Sequence, residues 1–120
     1  MFIYNTSDAT HPYTAFDIKA TSTASLTAPA TGTYAGILIF EDRSIPTNTY
    51  TDTFGGGSSA AYRGTIYGLK SNMWFHGNAS LTSYTILVCN QLHMVGTTAI
   101  NNDYSSLPTG NPLKTIALVE

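Results

Sequence analysis

The chain has 120 residues, a formal net charge of −2 and 10% charged residues, against roughly 25% in an ordinary soluble domain. That length fits one domain able to bury a core without metals or disulfides, and a single cysteine excludes an intrachain disulfide. Five scattered basic residues, Lys19, Arg43, Arg63, Lys70 and Lys114, give no electrostatic footprint for nucleic acid and no polybasic membrane patch.

In chain order, Phe2-Ile3-Tyr4 reads as an opening strand, with neither the charged flank nor the apolar length of a signal peptide. Ile18-Lys19-Ala20 to Ala24 is the first, weak copy of a motif in which an apolar residue is followed two later by a small one, and by another small or apolar residue four further on. A turn cluster, Ala28-Pro29-Ala30-Thr31-Gly32, precedes the β-rich run Tyr34 to Phe40. That run holds the longest apolar stretch, Ile37 to Phe40, which is far too short to span a bilayer. Glu41 to Thr53 reads as a loop excursion, the place where function most readily sits.

Beyond it, the motif recurs at Phe54-Gly55-Gly56 to Ala60, Phe75-His76-Gly77 to Leu81 and Met94-Val95-Gly96 to Ile100, and β-rich runs recur at Tyr62 to Tyr67 and Tyr84 to Cys89. After the turn cluster Leu107-Pro108-Thr109-Gly110-Asn111-Pro112, Thr115 to Val119 reads as a final strand. No window shows sustained helical periodicity, so the class is all-β.

The spacing separates two all-β architectures. Gly56, Gly77 and Gly96 are 21 and 19 residues apart, and Tyr62 and Tyr84 are 22 apart. A sandwich does not require a constant interval, whereas a parallel β-helix does. The expectation is therefore a single domain over 1–120, a right-handed parallel β-helix of about four rungs with ~20 residues per rung. Gly56, Gly77, Asn78 and Gly96 are expected at its corners, where glycine and asparagine tolerate left-handed backbone.

Candidate chemistry is sparse. His11, His76 and His93 lack metal-ligand spacing. Gly55-Gly56-Gly57-Ser58-Ser59 lacks the Lys-Ser/Thr ending of a phosphate loop, and no nucleophile elbow occurs. Cys89 reads as a small core residue. Asn5-Thr6-Ser7 and Asn78-Ala79-Ser80 match the three-residue glycosylation sequon. Glu41-Asp42-Arg43 is the dense charged cluster, read as local pairing or loop anchoring. Strand alternation sends Glu41 and Asp42 to opposite faces, so they do not share a proton. The same alternation puts Trp74 and Phe75 on opposite faces. With Phe75 inside, Trp74 faces outward, where beside Tyr67 it can stack on a sugar or fill an interface. No catalytic, metal or cofactor site is expected. The candidate ligand or partner residues are Trp74, Tyr67, Glu41, Asp42, Arg43 and Tyr50.

Stretches spread over almost the whole chain carry a resemblance: Ile3 to Thr6, Leu26 to Pro29, Tyr34 to Arg43, Phe54 to Ser59, Gly64 to Tyr67, Phe75 to Ser80 and the ending Leu113 to Glu120. In this order they resemble the C-terminal β-helical region of bacterial TadE/TadG-like proteins of tight-adherence (Flp-type) pilus assembly. Ala20, where glycine is usual, and Glu41, where glutamine is usual, depart from that pattern. The resemblance implies a non-enzymatic, envelope-associated module with other envelope or pilus proteins as partners, and it supplies no catalytic residues. Two further expectations follow from the residues. Open strand edges at Phe2-Ile3-Tyr4 and Thr115 to Val119 permit self-association into a filament, and exposed aromatics permit glycan binding.

Overall fold

One strand organises the molecule. In the computed structural model, which describes residues 1–57 and 60–100, Ala61–Gly77 forms a strand of 17 residues, here β6. The preceding strands are β1 (Ile3–Asn5), β2 (Asp17–Ile18), β3 (Ser25–Thr27), β4 (Ile37–Glu41) and β5 (Thr51–Gly56); β7 (Ser80–Met94) and β8 (Ala99–Ile100) follow. Along one edge of β6, residues 61–63 pair with β3, 65–67 with β4 and 72–77 with β5. Its other edge pairs with β7, which in turn pairs with β8. Every pairing is parallel, and the continuous path runs β1-β4-β6-β5-β2.

The fold is all-β, and the expected β-helix of four regular rungs is corrected: the strands form an open, strongly curled half-barrel of parallel sheet. The constant interval is local. It holds where Phe54 pairs with Phe75 and Phe75 with Met94, while Ile3 pairs with Ile39, Asp17 with Thr53 and Ser25 with Ala61 at a spacing of 36 residues. Ile39 pairs with Ile66, an interval of 27. Periodic residues place equivalent positions side by side in neighbouring strands. Whether the chain closes into equal rungs depends instead on loop lengths and bulges, and here these differ from circuit to circuit.

The bulges also bend the sheet. Register shifts occur between Tyr62 and Gly64 and between Gly68 and Asn72. At the second, where β6 spans two more residues than β7 between paired positions, the buried positions change from Tyr62, Gly64, Ile66 and Gly68 to Ser71, Met73 and Phe75, so the irregularity also exchanges the faces of β6. The concave side holds Leu38, Ile39, Phe54, Tyr62, Ile66, Met73, Phe75 and Leu81. Phe54 stacks on Phe75 at 4.9 Å, and Tyr62 meets both rings edge-on while its hydroxyl donates to the Gly55 carbonyl at 2.7 Å. Each such side chain contributes about 1.5–3 kcal/mol through burial.

The expected corners divide. Gly77 and Gly96 have φ of 79° and 87°, and a Cβ would lie 2.6 Å from the Gly56 carbonyl oxygen at the first and 2.7 Å from that of Gly77 at the second. Those same carbonyls accept from Asn78 N–H at 2.9 Å and Thr97 N–H at 3.1 Å. Gly56 does not have a positive φ; its constraint is space, since a Cβ would lie 2.3 Å from that of Ala60.

The excursion is shorter than Glu41 to Thr53, because Glu41 ends β4 and Thr51 to Thr53 begin β5, leaving 42–50 as the loop. It is pinned rather than free. Ile45 is buried, Asn48 N–H donates to the Lys70 carbonyl at 2.8 Å, and Asn72 N–H donates to that of Tyr50 at 3.0 Å. Asn48, at φ 60°, also starts a side-chain ladder in which Asn72 donates to it at 2.8 Å and Asn90 donates to Asn72 at 2.9 Å. The expected final strand at Thr115 to Val119 lies outside the described residues.

Candidate functional site

Two regions on opposite faces of β5 and β6 concentrate the chemistry. The outer one follows from strand alternation across three paired strands. Thr51, Asn72 and Gln91 share one row, and Thr53, Trp74 and His93 share the next. Together they line a groove of about 410 Å³. Trp74 is 41% exposed, and its ring lies 5.5 Å from that of His93 at an interplanar angle of 18°, with His76 5.9 Å away. Among the described residues, no three His, Cys, Asp or Glu side chains converge as metal ligands. The groove thus offers one aromatic platform bordered by hydroxyl, amide and imidazole groups.

Tyr67 does not join it. It stacks on Phe40 at 4.8 Å and 6°, with Tyr4 beyond Phe40 at 5.9 Å and the Arg43 guanidinium 5.2 Å above its ring. The bulge between Gly68 and Asn72 stands between Tyr67 and Trp74 on β6, so the expected aromatic pair becomes two clusters. A second groove, of about 340 Å³, adjoins the Tyr67 cluster and is lined by Phe2, Tyr4, Tyr34, Ile37 and Phe40.

Glu41 and Asp42 do face opposite ways. Asp42 accepts from the Tyr4 and Thr6 hydroxyls, both at 3.0 Å, and from Ser44 N–H at 2.8 Å. Those bonds, led by that of Ser44, hold its carboxyl down at about 2, because each favours the ionised form. Asp42 anchors the start of the loop to β1, and Arg43 packs on an aromatic.

Glu41 turns inward to meet Asp52, which belongs to β5 and not to the expected 41–53 excursion. Glu41 is 2% exposed and Asp52 0%. The Tyr13 hydroxyl donates a short hydrogen bond to Glu41 Oε1 and lies 3.5 Å from Ser71 Oγ; Phe16 N–H donates to Asp52 Oδ1 at 2.8 Å. Glu41 Oε2 and Asp52 Oδ2 are buried and meet no donor group. Burial first, then the neighbouring Glu41 carboxyl, raises the Asp52 carboxyl to about 7. Burial and the bond to Glu41 also push the Tyr13 phenol up. Gly68 makes room, since a Cβ there would lie 2.3 Å from Glu41 Oε2. Tyr50 meets Tyr13 edge-on at 4.3 Å, so it covers this interior and does not line the Trp74 groove.

One signal for Asp52 was present in the sequence. Two residues before Phe54, it shares the inner parity of that core ring once the strand is started at Thr51. Sealed from solvent, the pair presents no surface to a dissolved substrate. Cys89, in register with Gly68, is partly buried, and burial pushes its thiol up.

Comparison with family models, with curated proteins and with solved structures gives no match. Among the described residues, no helix is long and apolar enough to cross a membrane.

Proposed function

We propose that the chain is a non-enzymatic, extracytoplasmic adhesive module, of the kind the TadE/TadG-like resemblance implies for the bacterial envelope, and that the Trp74 face is its contact surface for carbohydrate. The observation carrying this reading is the half-exposed indole set among Thr51, Thr53, Asn72 and Gln91 in one groove. A pyranose ring presents C–H groups that pack on an aromatic face and hydroxyls that pair with amides and hydroxyls. The low charge of the chain suits a neutral glycan. Binding to a glycan array is expected for the wild type and at least a tenfold weaker signal for Trp74→Ala. No glycan bound by the wild type, or equal binding by both, would remove the reading.

A second reading is self-association. β1 ends the sheet path with its outer edge unpaired among the described strands, beside the groove lined by Phe2, Tyr4 and Tyr34. Tyr4 and Tyr34 are 53% and 52% exposed, and unpaired edges bordered by apolar side chains template further pairing. Sedimentation over a range of concentrations decides it, with a persistent monomer counting against it. The other edge expected to take part, Thr115 to Val119, lies outside the described residues.

A further inference from the structure

We propose that Glu41 and Asp52 share a single proton in the interior and so form a pH-sensitive latch that clamps the two stems of the 42–50 loop and the Tyr13 to Phe16 segment against β6. This is independent of the carbohydrate reading.

The position of the pair makes it a latch. Glu41 is the last residue of β4 and Asp52 the second of β5, so the two carboxyls stand at the two ends of the loop. Tyr13, donating to Glu41 and touching Tyr50 of the loop, and Phe16, donating to Asp52, bring in the segment between β1 and β2. Ser71 joins β6 to the cluster through Tyr13. Four parts of the chain therefore converge on two acids that are almost wholly buried.

The number of protons follows from the donors. Tyr13 satisfies one oxygen of Glu41 and Phe16 one of Asp52, and the remaining oxygens, Glu41 Oε2 and Asp52 Oδ2, meet no donor group. Two ionised carboxylates cannot hydrogen-bond to one another, and leaving both charged in an apolar interior is severely unfavourable. One proton converts the repulsion into a charge-assisted hydrogen bond. The titratable groups around the pair are the Tyr13 and Tyr50 phenols and, beside Gly68, the Cys89 thiol. The charge acting on Asp52 is that of Glu41, and it favours retention of the proton.

The sign follows by linkage. The folded protein holds the Asp52 proton up to about pH 7, whereas an unfolded aspartate releases it near the ordinary value of 3.8. The fold binds more protons between those limits, so this stabilisation is complete below pH ~4 and is lost as pH rises to about 7. Asp8 and Asp42, held down at about 2, change only below that window.

The test is denaturant unfolding of the whole chain from pH 4 to 8, on wild type, Asp52→Asn and Glu41→Gln. The expected wild-type folding constant falls by a hundredfold or more, on the order set by the displaced proton, and levels off by pH 8. Asp52→Asn, whose amide can accept from Phe16 and donate to Glu41, is expected to abolish that slope and to exceed wild type at pH 8. In the wild type, hydrogen exchange at Asn48 N–H, corrected for intrinsic pH dependence, is expected to speed up above pH 7 as the loop loosens. A flat or rising wild-type profile, or an equal slope in Asp52→Asn, would overturn the proposal. If Asp52→Asn does not fold, Glu41→Gln and carboxyl-carbon NMR of the wild type decide: one inner carboxyl titrating near 7 supports the latch, and two titrating below 5 overturn it. Calcium chloride at pH 8 is expected to leave the wild-type midpoint unchanged. A calcium-induced rise that Asp52→Asn removes would assign the pair to a cation and overturn the shared proton.

Discussion

The two faces of β5 differ by one residue step and have opposite chemistry. Thr51 and Thr53 look out onto the Trp74 groove, whereas Asp52 between them lies in the interior against Glu41. Polar groups outside keep water as a partner and are free to exchange it for a ligand. A carboxyl inside loses water, and its proton affinity becomes part of the stability of the fold. The contrast recurs on β6, where Trp74 is exposed and Phe75 buried. Alternation alone thus allots adjacent residues to recognition or to cohesion.

That contrast is most sharply broken at Phe75. Phe75→Ala removes a ring stacked on Phe54 and touched by Tyr62, and a loss of about 3–5 kcal/mol is expected from the cavity left behind, measured by denaturant unfolding. Gly68→Ala should follow. Its methyl would press on Glu41 Oε2 at 2.3 Å and Met73 Cε at 2.9 Å, costing about 1–3 kcal/mol. By displacing Glu41 it should also flatten the pH 4 to 7 profile, which unfolding at both ends of that range would register. Asn72→Ala breaks the ladder joining Asn48 and Asn90. A cost of about 1 kcal/mol is expected, with faster exchange in the 42–50 loop. Smallest is Trp74→Ala, whose unfolding free energy should change by no more than about 0.5 kcal/mol even as glycan binding falls. A large loss of stability there would mean that Trp74 serves cohesion and would erase the contrast with Phe75.

Several of these features were legible beforehand for local reasons. The outward Trp74 and inward Phe75 follow from alternation. The left-handed Gly77 and Gly96 follow from turn chemistry, and the opposite facing of Glu41 and Asp42 from the pleat. Asp52 was not, because extending the loop to Thr53 hid the parity it shares with Phe54. The separation of Tyr67 from Trp74 is not legible either, because it depends on the irregularity between Gly68 and Asn72, which has no unambiguous mark in the sequence.

The all-β class, the β-rich runs that fall in Ile37–Glu41, Ala61–Gly77 and Ser80–Met94, and the local interval that sets Phe54, Phe75 and Met94 side by side are readable from the residues alone. These depend on the conformational preferences of neighbouring residues. The open, curled sheet, the pairing of the first strands across 36 residues and the meeting of Glu41 with Asp52 rather than with its neighbour Asp42 are set by the folded chain. Those outcomes depend on register between distant segments, where a single bulged residue or a longer loop changes which side chains meet.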